Sequence, residues 1–217
     1  MSYVLSFLSG KGGITKTSMA RGTAVHFRRA EWEVGGLDLD MGQASFRRWN
    51  ERRDNYAHTP NINVISGSVN DIERLKASGQ YHMLIVDGAA YGSYETELVA
   101  QQSDLIIVGC RFSLDDMESA VETMNGLVAK GVPVERFCVV FSGVPEQRRP
   151  VNYVNALEYM KQTPYHVAAG FIEQMNCITD AQNIGLAMNE VRFPSVRKKL
   201  DQVFGSIEEY LEKVTSN

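Results

Sequence analysis

The stretch Tyr3-Val4-Leu5-Ser6-Phe7-Leu8-Ser9-Gly10-Lys11-Gly12-Gly13-Ile14-Thr15-Lys16-Thr17-Ser18 decides how the rest of the chain is read. Tyr3 to Leu8 reads as an apolar strand, and an amphipathic helical segment starts at Lys16. A glycine-rich turn between strand and helix aims backbone N–H groups at one point. The helix N-terminus adds its positive end, and together they bind phosphate oxygens. At this spacing Lys16 reaches the β- and γ-phosphates of a nucleotide, and the Thr17 hydroxyl can ligate Mg2+. The loop formed by Gly10, Lys11, Gly12, Gly13, Ile14, Thr15, Lys16, Thr17 and Ser18 is therefore read as nucleotide-binding. The pattern G-x-x-x-x-G-K-[ST] is met with one fault, Thr15 at the second glycine position.

Outward from this loop, apolar runs alternate with amphipathic stretches almost to the end. Strands are expected at Tyr3–Leu8, Glu33–Asp38, Asn61–Ile65, Met83–Asp87, Leu105–Gly109 and Phe137–Phe141. Helices are expected at Lys16–Arg29, Ala44–Arg53, Asp71–Ser78, Tyr94–Gln101, Leu114–Lys130 and Val151–Gln162. Continuous apolar runs such as Met83–Asp87 read as strands buried on both faces, which belong to parallel sheets covered by helices. The alternation predicts an α/β fold: a doubly wound, mostly parallel, Rossmann-like sheet flanked by helices, with right-handed crossovers. A last amphipathic helix, about Ser195 to Lys213, is expected to pack across the sheet edge. With no repeat, low-complexity tract or long linker, residues 1–217 read as one domain.

Composition narrows the function classes. Of 217 residues, 44% are hydrophobic and 22% charged, which excludes wholesale disorder. No apolar run approaches the roughly 18–20 residues that span a bilayer, and the N-terminus lacks the basic and small-residue features of a secretory signal. Cys110, Cys138 and Cys177 stand far apart, as expected of reduced thiols in a cytoplasmic protein rather than a zinc site or disulfide framework. The formal net charge of −4 means that any nucleic-acid surface must be a local patch.

Lys11-Gly12-Gly13-Ile14-Thr15-Lys16-Thr17-Ser18 resembles the deviant Walker A box, K-G-G-x-x-K-[TS], of the ParA/MinD superfamily of P-loop ATPases. In that family the early lysine crosses a dimer interface to touch the partner's nucleotide. The resemblance gives Lys11 that catalytic role beside Lys16. The second strand ends in Leu37-Asp38-Leu39-Asp40, and carboxylates two residues apart on a strand point the same way. The family's counterpart, D-x-D-P-Q, implies that Asp38 supports the metal shell and Asp40 orients the attacking water. Met41-Gly42-Gln43 departs from it, with no proline and the glutamine one position late, which leaves the role of Gln43 open. His82-Met83-Leu84-Ile85-Val86-Asp87 has the Walker B layout, a carboxylate at a rigid strand end beside the phosphates and Mg2+. With Gly88-Ala89 it resembles the V-D-G-A stretch of small ParA proteins. Thr17, Asp38 and Asp87 are thus the expected metal residues.

A late strand without N-K-x-D or T-K-x-D favours ATP over GTP, while the adenine contacts stay unassigned. Thr179-Asp180-Ala181-Gln182-Asn183-Ile184-Gly185 is similar to a family segment near the base and the dimer interface. Asp87-Gly88-Ala89-Ala90-Tyr91-Gly92-Ser93 lacks the cluster cysteine of nitrogenase iron proteins. Three glutamates after Gly205 disfavour stable membrane association of the MinD kind. Arg47-Arg48, Arg52-Arg53 and Arg148-Arg149 are basic clusters. By resemblance to small ParA proteins, Arg192, Arg197, Lys198 and Lys199 are the expected contacts to nonspecific DNA. The resemblance as a whole implies a small ParA-type ATPase that binds Mg-ATP, forms an ATP-dependent homodimer and coats nucleoid DNA. A ParB-like centromere-binding adaptor would stimulate hydrolysis during plasmid or chromosome segregation. Positioning of a protein cargo, such as a carboxysome or chemoreceptor cluster, through a cargo adaptor is the alternative. A metabolic phosphotransfer enzyme similar to dethiobiotin synthetase is a third reading.

Overall fold

In the computed structural model, residues 2–8, 15–88, 94–145 and 150–216 are described. In chain order they form β1 (Tyr3–Leu8), α1 (Lys16–Arg29), β2 (Val34–Asp38), α2 (Ser45–Asn55), β3 (Asn63–Ser66) and α3 (Asn70–Ala77). Next come β4 (Met83–Asp87), α4 (Tyr94–Gln102), β5 (Leu105–Cys110), α5 (Leu114–Val128), β6 (Phe137–Pro145) and α6 (Pro150–Met160). The chain closes with β7 (His166–Val167), β8 (Ile172–Gln174), α7 (Asn176–Asn183) and α8 (Pro194–Thr215). The strands lie in the order β3-β2-β4-β1-β5-β6-β7, with β8 also on β6. All the pairings are parallel.

Alternation along each strand divides the core into two layers. Leu5, Phe7, Met83, Ile85, Leu105, Ile107, Cys138 and Val140 face α1, α2, α7 and α8. On the other face, Val4, Leu84 and Val86 meet α3, while Ile106, Val108, Val139 and Phe141 meet α5 and α6. The central strands are buried along their whole length, which is why their sequences read as unbroken apolar runs. Because the sheet is parallel, β1, β2, β4, β5 and β6 all end on one edge, and the loops there form the crevice where ligands bind in such folds.

Three features differ from the sequence expectation. First, α8 packs on the face of the sheet beside α1, not across its edge. Its Leu200, Val203, Phe204, Ile207 and Leu211 all join the core, and each buried side chain contributes roughly 1.5–3 kcal/mol. Gly22 leaves the room, since a Cβ there would lie 2.3 Å from Phe204 Cζ. Second, β6 runs on to Pro145 through Gly143, which takes a φ of 66° at the irregularity where β8 pairs. Third, β7, β8 and α7 were not expected as separate elements. Strands of two and three residues carry no usable periodicity, and α7 buries only Ile178 and Ala181. Among the described residues no helix is long and apolar enough to cross a membrane.

Candidate nucleotide and metal site

Parallel pairing sets the carboxylates side by side. Asp38 and Asp87 end neighbouring strands as register partners, and both are buried, 0% and 3% exposed. Lys16 and Thr17, in the first turn of α1, come up beside them. Lys16 Nζ donates to the Gly88 carbonyl and lies 3.8 Å from Asp87 Oδ1. A hydrogen bond joins the Thr17 side chain to Asp87. Burial pushes the Asp87 carboxyl up to about 6, and the neighbouring Asp38 adds to this. Lys16, the Thr17 bond and Arg21 pull the other way.

Asp38 has a different task. Its Oδ2 accepts from the Phe46 N–H (2.8 Å) and the Arg47 N–H (3.1 Å), the second and third residues of α2. It thereby supplies the cap that Ala44, at the head of the helix, cannot. Its Oδ1 accepts from the Asp40 N–H at 3.1 Å. Asp38 therefore fixes both α2 and the turn that carries Asp40. In that turn Asp40 Oδ1 accepts from the Gln43 N–H at 3.0 Å, and the Asp40 carbonyl from the Ala44 N–H at 2.6 Å. Ala44 closes the turn in the left-handed region, with φ 46°. Gln43 is exposed, and its backbone is the part that steadies Asp40.

The residues fit a divalent cation. Asp87 Oδ1 is buried, and among the described residues it has no hydrogen-bond partner. Such an oxygen, beside a threonine hydroxyl and a second carboxylate, is an oxygen donor set of the kind Mg2+ takes together with nucleotide phosphates. Of the loop assigned to the nucleotide, Thr15, Lys16, Thr17 and Ser18 are described. Gly10, Lys11, Gly12, Gly13 and Ile14 lie outside the described residues, as do Arg148 and Arg149.

Arg21 was missed by the sequence reading. It stands four residues after Thr17, on the same face of α1, and is 8% exposed. Its NH2 donates to the Ser45 carbonyl (2.6 Å) and its NH1 to Gln182 Oε1 (2.8 Å), which also accepts from Ser18 Oγ (3.0 Å). Burial lowers its pKa to about 10. An arginine among the otherwise uncharged buried residues of α1 was the available signal.

The expected DNA residues gather elsewhere, around the start of α8. Arg192, Arg197 and Lys198 are exposed, and the Arg192 guanidinium lies 4.9 Å from the Phe193 ring centroid. Lys199 is exposed as well, with Nζ 3.5 Å from Oε1 of the buried Glu173. Arg53 of the α2 cluster is fully buried, pairing with Glu190 at 2.6 and 3.0 Å, so it belongs to the core.

The sequence pattern of the family described as ATPase MipZ matches residues 3–130. No curated protein matches the chain. Among solved structures, MinD in the MinC:MinD cell division complex of Aquifex aeolicus superposes with a TM-score of 0.75 at 14% identity, covering 96% of each chain. MinD of Pyrococcus horikoshii, complexed with Mg-ADP, gives 0.73 at 12% identity over 99% of each chain. The pNOB8 ParA bound to nonspecific DNA gives 0.65 at 14% identity, covering 100% of this chain and 99% of that one.

Proposed function

Because this chain belongs to the MipZ family of ATPases, and with it to the ParA/MinD deviant Walker superfamily, we propose that it is an ATP-switched dimer that partitions DNA. Its family works in positioning or partition. The observation that carries the dimer is the rim of the site. Met41, Tyr94 and Leu114 are 70%, 74% and 53% exposed: Met41 follows β2, and Tyr94 and Leu114 begin α4 and α5, the helices that follow β4 and β5 from the edge where Lys16 and Asp87 meet. Large apolar side chains left exposed along the edge that carries a charged site support a surface that a partner covers. A second copy covers it when two nucleotides face each other.

In this reading Lys16 holds the β- and γ-phosphates, and Lys11 reaches the partner's nucleotide. Asp40, steadied by the Gln43 N–H and the Asp38 carboxylate, orients the attacking water. Thr17 and Asp87 would hold Mg2+, which supplies charge neutralisation at the phosphates, while Asp38 keeps the surrounding turn in place. The whole chain acts as one ATPase domain.

Nonspecific DNA is the second surface. α8 has no acidic residue in its first turn, and three cations follow in the next positions, Arg197, Lys198 and Lys199. Cations there run against the helix dipole, so helix stability is not the reason for them. Arg192, Arg197, Lys198 and the exposed Lys199, which also pairs with Glu173, are too few contacts for one protomer to bind tightly. Dimerisation doubles them. A ParB-like adaptor on plasmid or chromosome would then trigger hydrolysis, and nucleoid association follows from the DNA contacts.

Anisotropy of a random-sequence duplex, titrated with protein across salt concentrations, tests this. Each neutralised phosphate adds about 0.9 to the slope of log K against log salt. A non-hydrolysable ATP analogue should roughly double the slope, and Arg197→Glu with Lys198→Glu should remove binding. A slope indifferent to nucleotide and to those changes would transfer the cargo role to protein.

A further inference from the structure

A groove lies between α7 and the start of α8. It consists of two cavities of about 300 and 500 Å³ that share Cys177 and Phe193 in their walls. Its floor, with Cys177, Leu186 and Val196, packs against the core. Its mouth does not: Ile184 and Phe193 are each 40% exposed. Apolar side chains scattered singly over a surface need no explanation, but two that line one groove mark an interaction site.

The charge around the groove is mainly positive. Arg192 belongs to the wall, and its guanidinium lies 4.9 Å from the Phe193 ring centroid, which steadies the ring at the mouth. Arg197 follows Phe193 by four residues, one helical turn on, and both Arg192 and Arg197 are exposed. Asp180 is the one acid among the lining residues. An occupant that matches this surface brings apolar side chains to the groove and carboxylates to the arginines. A DNA duplex brings only the second part. Its phosphates suit Arg192 and Arg197 but leave Ile184 and Phe193 without an apolar partner.

We propose that the α7–α8 groove receives an amphipathic helix of a partner protein, one whose apolar stripe is edged with Asp and Glu. Such a helix lays its apolar face into a groove at the i, i+3, i+4, i+7 spacing. Its carboxylates pair with Arg192 and Arg197, whose planar forks match them. The same arginines are the proposed contacts to DNA, so bound partner and bound duplex exclude one another. Docking of the helix is independent of the DNA reading, and the exclusion rests on it.

The probe is a fluorescent peptide of about 16 residues, with leucines at that helical spacing and glutamates beside them. Its anisotropy should rise on titration with the protein, and Phe193→Ser or Ile184→Ser should weaken binding about 10-fold or more. Peptides with lysine for every glutamate, or serine for every leucine, should lose about as much. Cys177 gives a readout that needs no variant. Cys110 and Cys138 are buried, so iodoacetamide labelling reports Cys177, and saturating peptide should slow it. The peptide should also release a labelled duplex from the protein. A serine-for-leucine peptide that binds as well as its parent marks a surface that reads charge alone, and overturns the docking groove. So does a lysine peptide that binds equally, or a leucine–glutamate peptide that fails to bind or leaves Cys177 labelling unchanged. Peptide binding by a protein that ignores duplex removes the DNA reading and the exclusion, and upholds the docking.

Discussion

Asp87→Asn should make the metal-free protein more stable while destroying its use of Mg2+. The carboxyl ends β4 at 3% exposure, and burial raises its pKa from 3.8 to about 6. Between those values the folded state holds a proton that the unfolded chain has released, so stability falls as pH rises from about 4 to 6. A shift of about two units corresponds to about 3 kcal/mol, lost in full above pH 6. Asparagine resembles the protonated acid in size and charge and escapes this loss. For a chain of this size, about 3 kcal/mol moves the melting midpoint by roughly 6–12 °C. Thermal melts in EDTA should therefore show Asp87→Asn above the unaltered protein by that amount near pH 8. The gap should shrink below about 1 kcal/mol near pH 4, where the folded state holds the proton and the unfolded chain is regaining it. Mg2+ should stabilise only the unaltered protein. A variant that melts lower near pH 8, or a gap that ignores pH, would refute the picture of a strained carboxylate awaiting a cation.

Further outcomes follow from other contacts. Lys16→Ala should weaken ATP binding by about 10–100-fold, the value of a charge-assisted hydrogen bond to phosphate, as measured by calorimetry. Asp40→Ala should leave ATP affinity nearly unchanged and lower turnover by about 10²–10⁴-fold, since the Asp38 carboxylate and the Ala44 N–H still hold the turn when the bond from the Gln43 N–H is lost. Glu190→Ala strands the fully buried Arg53 without its carboxylate and should cost about 3–5 kcal/mol in denaturant unfolding.

The parallel α/β sheet and the strand-end positions of Asp38 and Asp87 were legible because each depends on local pattern. Lys16 and Asp87 sit at the junctions of apolar runs with polar ones, and a parallel sheet brings all such junctions to one edge. Arg21 was not legible, since its partners Ser45 and Gln182 come from α2 and α7, 24 and 161 residues away. Arg53 shows the same limit from the other side. It belongs to a basic cluster in sequence, and it is claimed by a carboxylate, Glu190, that only the fold brings near. The Asp40 turn lay between these cases. Its missing proline was visible, but the bond from the Gln43 N–H to Asp40 Oδ1 was not.

The central claim is that nucleotide joins two copies across the site, and Lys11 is the residue on which it turns. Two facing ATP molecules bring several negative charges together at low dielectric, and a lysine from each subunit offsets that repulsion only when both are docked. Light scattering with a non-hydrolysable ATP analogue, on the unaltered protein and on Lys11→Ala, measures this directly. The expected result is twice the monomer mass for the unaltered protein and the monomer mass for Lys11→Ala, with ATP affinity of the monomer preserved. A Lys11→Ala protein that still doubles its mass with nucleotide would contradict the account.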